Sequence, residues 1–210
     1  MIRVLIVDDH AILRRGLKAL LSDAFEGAKF GEASNAEQAL KQVGKKGWDV
    51  ALLDVTLPGK SGLDLLKELK VIRPRLPVLV LSVHPEDQFA VRALKAGAEG
   101  YMTKESAPEE LVQAIRKVLA GGRYVSPALA ERLALSVRKD FTHAPHETLS
   151  DRELEVTRRI ASGRTVTEIA GELSLSVKTV STYRARILEK LGVRNSAEIT
   201  RYAIQNGLVS

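Results

Sequence analysis

Cysteine is absent from the 210 residues, which removes disulfides and thiolate metal sites and fits a reducing, intracellular setting. Long apolar runs are absent too. Nothing approaches the roughly 18 consecutive apolar residues that a membrane span needs, and Met1 leads directly into a strand-like run. Together these absences predict a cytoplasmic protein with no membrane partner. Internal repeats and low-complexity tracts are also missing, and acidic residues are missing locally, with none between Ser174 and Leu188. The net charge of +6 is modest but unevenly spread. Residues 1 to 120 carry 18 Lys/Arg against 16 Asp/Glu, and residues 148 to 210 carry 10 against 7. The smaller C-terminal part is therefore the denser in positive charge, a balance compatible with a polyanion and equally with a solvated face.

What is present is organised around Val50-Ala-Leu-Leu-Asp54, an apolar run ending on a carboxylate, followed by a Pro58-Gly59 turn. Such a run reads as a buried strand with Asp54 at its carboxyl end. Ile2 to Val7 has the same character and runs into Asp8 and Asp9. In an open parallel sheet the carboxyl edge is where ligands are met, so three acids share one edge. Like charges that close require a proton or a cation. A hard divalent ion such as Mg²⁺ suits the set, because it takes carboxylates and waters and leaves room for a phosphate oxygen. Two further strand ends complete the group: Pro77 to Ser82 brings a hydroxyl, and Gly100 to Lys104 an ammonium. A carboxylate nucleophile, a metal, a hydroxyl and a fixed positive charge are the parts that in-line phosphoryl transfer uses.

Between these strands the apolar spacing is helical. Residues 10 to 23 carry a stripe at Ile12, Leu13, Leu17, Leu20 and Leu21, and Leu63, Leu65, Leu66 and Leu69 form another. Ser34 with Glu37 has capping-box spacing ahead of a second helix, and Ser106 with Pro108 suits the start of the last. Five βα units predict a doubly wound parallel sheet with helices on both faces. Residues 2 to 120 resemble a response-regulator receiver domain, since Asp8-Asp9, Asp54 with Pro58 and Gly62, Ser82 and Lys104 stand in that family's order. The resemblance implies a flavodoxin-like five-stranded sheet ordered 2-1-3-4-5 and phosphorylation of Asp54 by a sensor histidine kinase. It implies Mg²⁺ held by Asp9 and Asp54, by Asp8 through water, and by the Thr56 backbone carbonyl. Lys104 and Ser82 would bond the phosphoryl oxygens, and Ser82 moving inward would make room for Tyr101 to swing in.

Residues 1 to 122 are accordingly read as the receiver and 123 to 147 as a linker with a short helix from Ser126 through Val137. Residues 148 to 210 form an all-α four-helix domain. In that domain Ser150/Glu153, Thr165/Glu168 and Asn195/Glu198 each mark a helix start, and Ser176 opens a fourth helix with Thr179 where the others have Glu. Val177, Val180, Ile187, Leu188 and Leu191 make the expected buried stripe of that helix. Leaving carboxylates out of its first turns keeps its N-terminus able to approach phosphate.

The preceding helix, the Ser174-Leu175-Ser176 turn and this helix make a helix-turn-helix. Leu149-Ser-x-Arg-Glu-x-Glu-Val156, Glu168-Ile-Ala170, Leu175-Ser-x-Lys-Thr-Val180 and Lys190-Leu-Gly-Val193 resemble the LuxR-type DNA-binding domain. With the receiver, that is the architecture of a NarL/FixJ-type response regulator. The resemblance turns Ser181, Thr182 and Ala185 towards base edges of double-stranded DNA, with Lys178, Thr179, Arg184 and Arg186 near phosphates. It also implies a homodimer in the active state, paired through the helix from Asn195 to Asn206. Two rival readings share some of these residues: a Mg²⁺-dependent phosphatase with an aspartyl nucleophile, and a DNA-binding regulator that works without phosphorylation. The phosphatase would want a second acid two residues after Asp54, where this chain has Thr56. A flavin domain could share the fold, but its phosphate would face the acidic loop after the first strand.

Overall fold

Strand β3 (Val50–Asp54) is buried along its whole length, and the N-terminal unit is layered around it. The computed structural model describes residues 1–44, 47–83, 86–106, 108–127, 129–131 and 144–209, without the side chains of 86–88. The expected linker helix from Ser126 through Val137 lies largely outside the described residues. The chain divides into two compact units, Met1–Arg138 and Lys139–Ser210.

In the first unit β1 (Arg3–Val7), β2 (Lys29–Ala33), β3, β4 (Val78–Ser82) and β5 (Gly100–Thr103) form one sheet. Every pairing is parallel and the order is β2-β1-β3-β4-β5. Alternate strand residues Val4, Ile6, Val50, Leu52, Leu79, Leu81 and Met102 form one buried cluster with Leu17 and Leu21 of α1 (Ala11–Ala24) and with Leu111, Ala114, Ile115 and Val118 of α5 (Pro108–Leu119). The opposite face receives α2 (Ala36–Gly44), α3 (Gly62–Ile72) and α4 (Glu86–Lys95). A strand buried on both faces must be apolar throughout, which is why β3 reads as an unbroken run.

Two helix starts differ from the sequence expectation. Helix α2 is capped by Asn35, whose side chain accepts from the Gln38 N–H at 2.9 Å, and not by the Ser34/Glu37 box. Ser34 bonds the Gln38 side chain, and Glu37 pairs with Lys41 on the exposed face. Two start signals sit one residue apart, and Asn is as good a cap as Ser. Helix α5 begins at Pro108, while the Ser106 hydroxyl meets that of Thr103.

One glycine is demanded by close approach. A Cβ at Gly62 would lie 2.0 Å from the Asp54 carbonyl oxygen, and its N–H donates to the Val55 carbonyl at 2.7 Å. The start of α3 is thereby held against the end of β3 that carries Asp54.

The second unit is helical: a 3-10 turn (Pro145–Thr148), then α6 (Asp151–Ala161), α7 (Val166–Glu172), α8 (Val177–Leu191) and α9 (Ser196–Gln205). Capping boxes close on α6 through Ser150/Glu153 and on α7 through Thr165/Glu168. At α9 the Asn195 side chain accepts from the Glu198 N–H, but the Glu198 carboxylate turns to the N–H of Arg194, one residue earlier than a box requires. Helix α8 takes a simple cap, with Ser176 accepting from the Thr179 N–H at 3.0 Å. Its buried stripe is narrower than expected: Val180, Ile187 and Leu191 are inside, Leu188 is half-buried, and Val177 is 48% exposed. Val177 is the first helical residue.

Ser174, in the turn between α7 and α8, is the one non-glycine residue with positive φ among the described residues, at 53°. Its position lets the Leu175 N–H reach back to the Ala170 carbonyl at 2.8 Å. A side chain there costs of order 1 kcal/mol. Ser174→Gly is therefore expected to raise stability by about 0.5–1 kcal/mol in urea unfolding, with DNA binding unchanged.

Candidate functional site

The sheet register brings the sequence-predicted residues together. Val7 pairs with Leu53, Asp54 with Leu81, and Ser82 with Thr103. Asp8, Asp54, Ser82 and Lys104 therefore fall within about one residue of a common line across the carboxyl edge. Lys104 Nζ lies 2.6 Å from Asp8 Oδ2 and 2.7 Å from Asp54 Oδ2, bridging two buried carboxylates. The Lys104 N–H also donates to the Ser82 carbonyl at 2.7 Å, which fixes the root of the lysine beside the buried serine. The Thr56 N–H donates to Asp54 Oδ1 at 3.1 Å, so that peptide reaches the site as well.

Burial, outweighing the pull of Lys104, pushes the Asp54 carboxyl up to about 6. Burial works against the Lys104 ammonium, but Asp54 and Asp8 overcome it and raise its pKa. Two of the three acids, Asp8 and Asp54, thus share the Lys104 ammonium as their cation. One ligand atom each from Asp8, Asp9, His10 and Asp54 can be found within 4.8 Å of one another, a spacing compatible with one divalent ion.

Two members of this constellation were missed in the sequence. His10 Nδ1 lies 2.8 Å from Asp9 Oδ1 and 3.1 Å from Asp8 Oδ1. Arg14, one turn into α1, donates to the Asp8 carbonyl at 2.7 Å and to Glu32 at 3.1 Å. Lys18 and Arg14 beside Glu32 hold its carboxyl below the usual range, so this clamp on the β1–α1 loop is ionic. The available signal was position alone: His10 follows the acid pair and Arg14 is four residues on.

Tyr101 is inside, at 0% exposure, in a register where Val80 is its β4 partner. The pairing of β5 with β4 and the cover of α4 over β5 enclose it.

On α8, Lys178, Ser181, Thr182, Ala185 and Arg186 are exposed on one unit surface and Thr179 is half-exposed. The Thr182 hydroxyl donates to the Lys178 carbonyl at 3.0 Å, leaving its lone pairs and methyl for a partner. Thr179 shares a hydrogen bond with Ser176 at 2.8 Å. Arg184 is turned the other way: Nε donates to Ser196 Oγ of α9 at 2.8 Å, which ties α8 to its neighbour and makes Arg184 the least available of the seven.

Residues 4–116 match the response regulator receiver domain, and residues 147–203 match the luxR family of bacterial regulatory proteins. The chain belongs to the response regulators. Its receiver and LuxR-type domain together are of the NarL/FixJ type. It is 43% identical to the response regulator GacA of Pseudomonas aeruginosa over 100% of this chain and 98% of that one. It is 40% identical to the response regulator UvrY of Escherichia coli over 99% and 96%. Among solved structures it is similar to RcsB from Salmonella enterica serovar Typhimurium bound to promoter rprA in the presence of phosphomimetic BeF3-, with 30% identity, 96% and 97% coverage, and a TM-score of 0.65. For a response regulator the two faces described above have defined partner classes: the receiver implies a kinase, and the LuxR-type domain implies DNA. Among the described residues, no helix is long and apolar enough to cross a membrane.

Proposed function

We propose that this response regulator is phosphorylated on Asp54 by a sensor histidine kinase, and that the added charge controls pairing and DNA binding by the C-terminal helices. The observation that carries the reading is the Lys104 ammonium set between Asp8 and Asp54 at the carboxyl edge of the sheet. An Asp54 carboxylate oxygen attacks the phosphorus of a phosphohistidine or small phosphodonor, the P–N or P–O bond breaks, and the leaving group takes up a proton. Lys104 and the Ser82 hydroxyl meet the new phosphoryl oxygens. The hard oxygen donors of Asp8, Asp9, Asp54 and the Thr56 carbonyl fit Mg²⁺, which when bound would neutralise charge developing on the transferred group. The receiver catalyses only its own phosphorylation and dephosphorylation.

Phosphorylation turns a carboxylate of one negative charge into an acyl phosphate of roughly two, a net gain of about one at a buried edge. Ser82 then moves towards the phosphoryl group, and the room it leaves is taken up by the Tyr101 ring. The altered surface of β4 and β5 acts through the linker of residues 123 to 147 on the domain from 148 to 210, favouring a homodimer paired along α9, where Ile204 is exposed. Each α8 enters a major groove, with Ser181, Thr182 and Ala185 at base edges and Lys178, Thr179, Arg184 and Arg186 near phosphates. Small reading residues leave methyl contacts, waters and DNA shape to share specificity. A regulator of this kind works where the chromosome is, in the bacterial cytoplasm.

The deciding experiment treats the full chain with acetyl phosphate and Mg²⁺ and maps the acid-labile adduct by mass spectrometry. An acyl phosphate on Asp54 supports the reading. Sustained hydrolysis of a phosphate ester would favour a phosphatase, and full DNA binding with no adduct would favour a phosphorylation-independent regulator. Lys178→Ala is expected to weaken binding to all duplexes and to reduce the slope of log K against log salt by about one. An unchanged slope in fluorescence anisotropy would remove Lys178 from the phosphate contacts.

A further inference from the structure

Past the end of β1 the chain leaves its ladders. Val7 is the last residue paired with β2 and β3, and the Asp8 N–H still donates to the Ala33 carbonyl at 3.0 Å. The Asp8 carbonyl lies beyond both registers, and Arg14 takes it, with Nη1 donating at 2.7 Å. The same guanidinium turns Nε to Glu32 at 3.1 Å, and Lys18 Nζ meets the other Glu32 oxygen at 2.6 Å. Glu32 stands on β2 opposite Ile6, so the fork is braced from the sheet and not from the loop it holds. Helix α1 supplies little of its own at this end: its N-cap, His10, makes no side-chain cap bond, and no acidic residue lies in its first turn. The Arg14 side chain is only 15% exposed, which keeps it within this network and away from a docking partner. A peptide group is planar, so fixing the Asp8 carbonyl orients the unit that joins Asp8 to Asp9 and carries both side chains.

We propose that Arg14 is a positioning residue for phosphoryl transfer: braced by Glu32, it sets the Asp8–Asp9 peptide so that the two carboxylates are arranged for a divalent cation before one arrives. The inference rests on the reading of Asp54 as the phosphoacceptor with Mg²⁺ held beside it. Groups that hold a metal's ligands from behind govern its affinity, because ligands left loose must be ordered at the moment of binding. Here the ordering comes from a charged donor on a neutral carbonyl, a stronger bond than two neutral groups make. Arginine suits the task and lysine does not. One planar fork reaches the carbonyl and the Glu32 carboxylate at once, whereas an ammonium is a point charge on a flexible stem. Glu32 stays charged at neutral pH because Lys18 and Arg14 hold its carboxyl low.

The test follows the full chain by two routes that need no kinase: binding of Mn²⁺, read from the spin resonance of the free ion, and phosphorylation by acetyl phosphate as a function of Mg²⁺ concentration. Arg14→Ala is expected to weaken Mn²⁺ binding about tenfold and to raise the half-saturating Mg²⁺ by a similar factor, while the rate at saturating Mg²⁺ stays within about threefold. Arg14→Lys should fall between Arg14→Ala and wild type. Glu32→Ala should show a smaller loss of the same kind, and the double variant should bind no more weakly than Arg14→Ala alone, because the two act as one unit. Should Arg14→Ala lose native circular dichroism, Arg14→Lys and Glu32→Ala carry the comparison. Variants that melt lower in EDTA yet bind Mn²⁺ as wild type does would reduce Arg14 to a structural strut and overturn the proposal, leaving the acidic centre standing. Losses that simply add in the double variant overturn the brace by Glu32. Asp9→Asn checks the reading beneath: if it binds Mn²⁺ as wild type does, or if wild type binds none, the metal centre falls and the role of Arg14 with it.

Discussion

Asp54→Asn is expected to accept no phosphoryl group from acetyl phosphate and, at pH 8 without divalent cations, to melt several degrees above wild type. The first result follows because an amide oxygen cannot form the acyl phosphate that a carboxylate forms. The second follows from burial. The Asp54 carboxyl stands at about 6 against an ordinary 3.8. A carboxyl raised in the folded state keeps a proton that the unfolded chain has released, so wild type loses stability as pH rises from about 4 to about 6 and bears the full cost above that. The difference corresponds to roughly 3 kcal/mol at most. An amide of nearly the same shape carries no such cost, although it gives up the ion pair with Lys104. The stability gap between the two proteins should therefore close at pH 4, and saturating Mg²⁺ should stabilise wild type more than the variant. Differential scanning calorimetry at pH 4 and 8, with and without Mg²⁺, reads each part. A variant that still carries phosphate on a carboxylate removes Asp54 as the acceptor. A variant that melts below wild type at pH 8 removes the electrostatic account of the site.

The convergence of Asp8, Asp54, Ser82 and Lys104 is legible in the sequence because each ends an apolar run. In a parallel sheet those ends lie on one edge whatever the packing of the helices. The α6 and α7 starts are legible for a similar reason, since a capping box is local chemistry and both boxes close as the spacing predicts. What the sequence conceals depends on side-chain rotamers and on competition between neighbours. At α2 two cap signals one residue apart compete, and Asn35 prevails. On α8 the apolar stripe includes Val177 by spacing, yet this first helical residue is 48% exposed while Val180, three residues on, is buried. His10 and Tyr101 depend on ring orientation: one turns onto the acids, and the other is buried in the sheet. No periodicity reports either.

Ala185→Glu is expected to weaken binding to duplex DNA about 100-fold or more while leaving the fold unchanged. Ala185 is exposed and lies four residues after Ser181 and three after Thr182, so the three share one stripe of α8. That helix carries no carboxylate before Glu189, and its N-terminal end has only the Ser176 cap and the exposed Lys178. A carboxylate introduced in the middle of the stripe faces the phosphate backbone as a like charge and, inside a groove, loses water without gaining a donor. Desolvation without a partner alone costs on the order of 3 kcal/mol, which is about 100-fold in affinity. The helix itself barely responds, since Glu is a good helix former and repulsion from Glu189 four residues on costs only about 0.2–0.5 kcal/mol. Ala185→Ser, which adds a hydroxyl and no charge, should stay within about fivefold of wild type. Fluorescence anisotropy on a mixed-sequence duplex after phosphodonor treatment separates the cases, and thermal melting checks the fold. Because the substituted position is exposed and its helix is otherwise intact, undiminished binding by Ala185→Glu would mean that α8 does not enter the groove. DNA would then have to be met by another face of the unit.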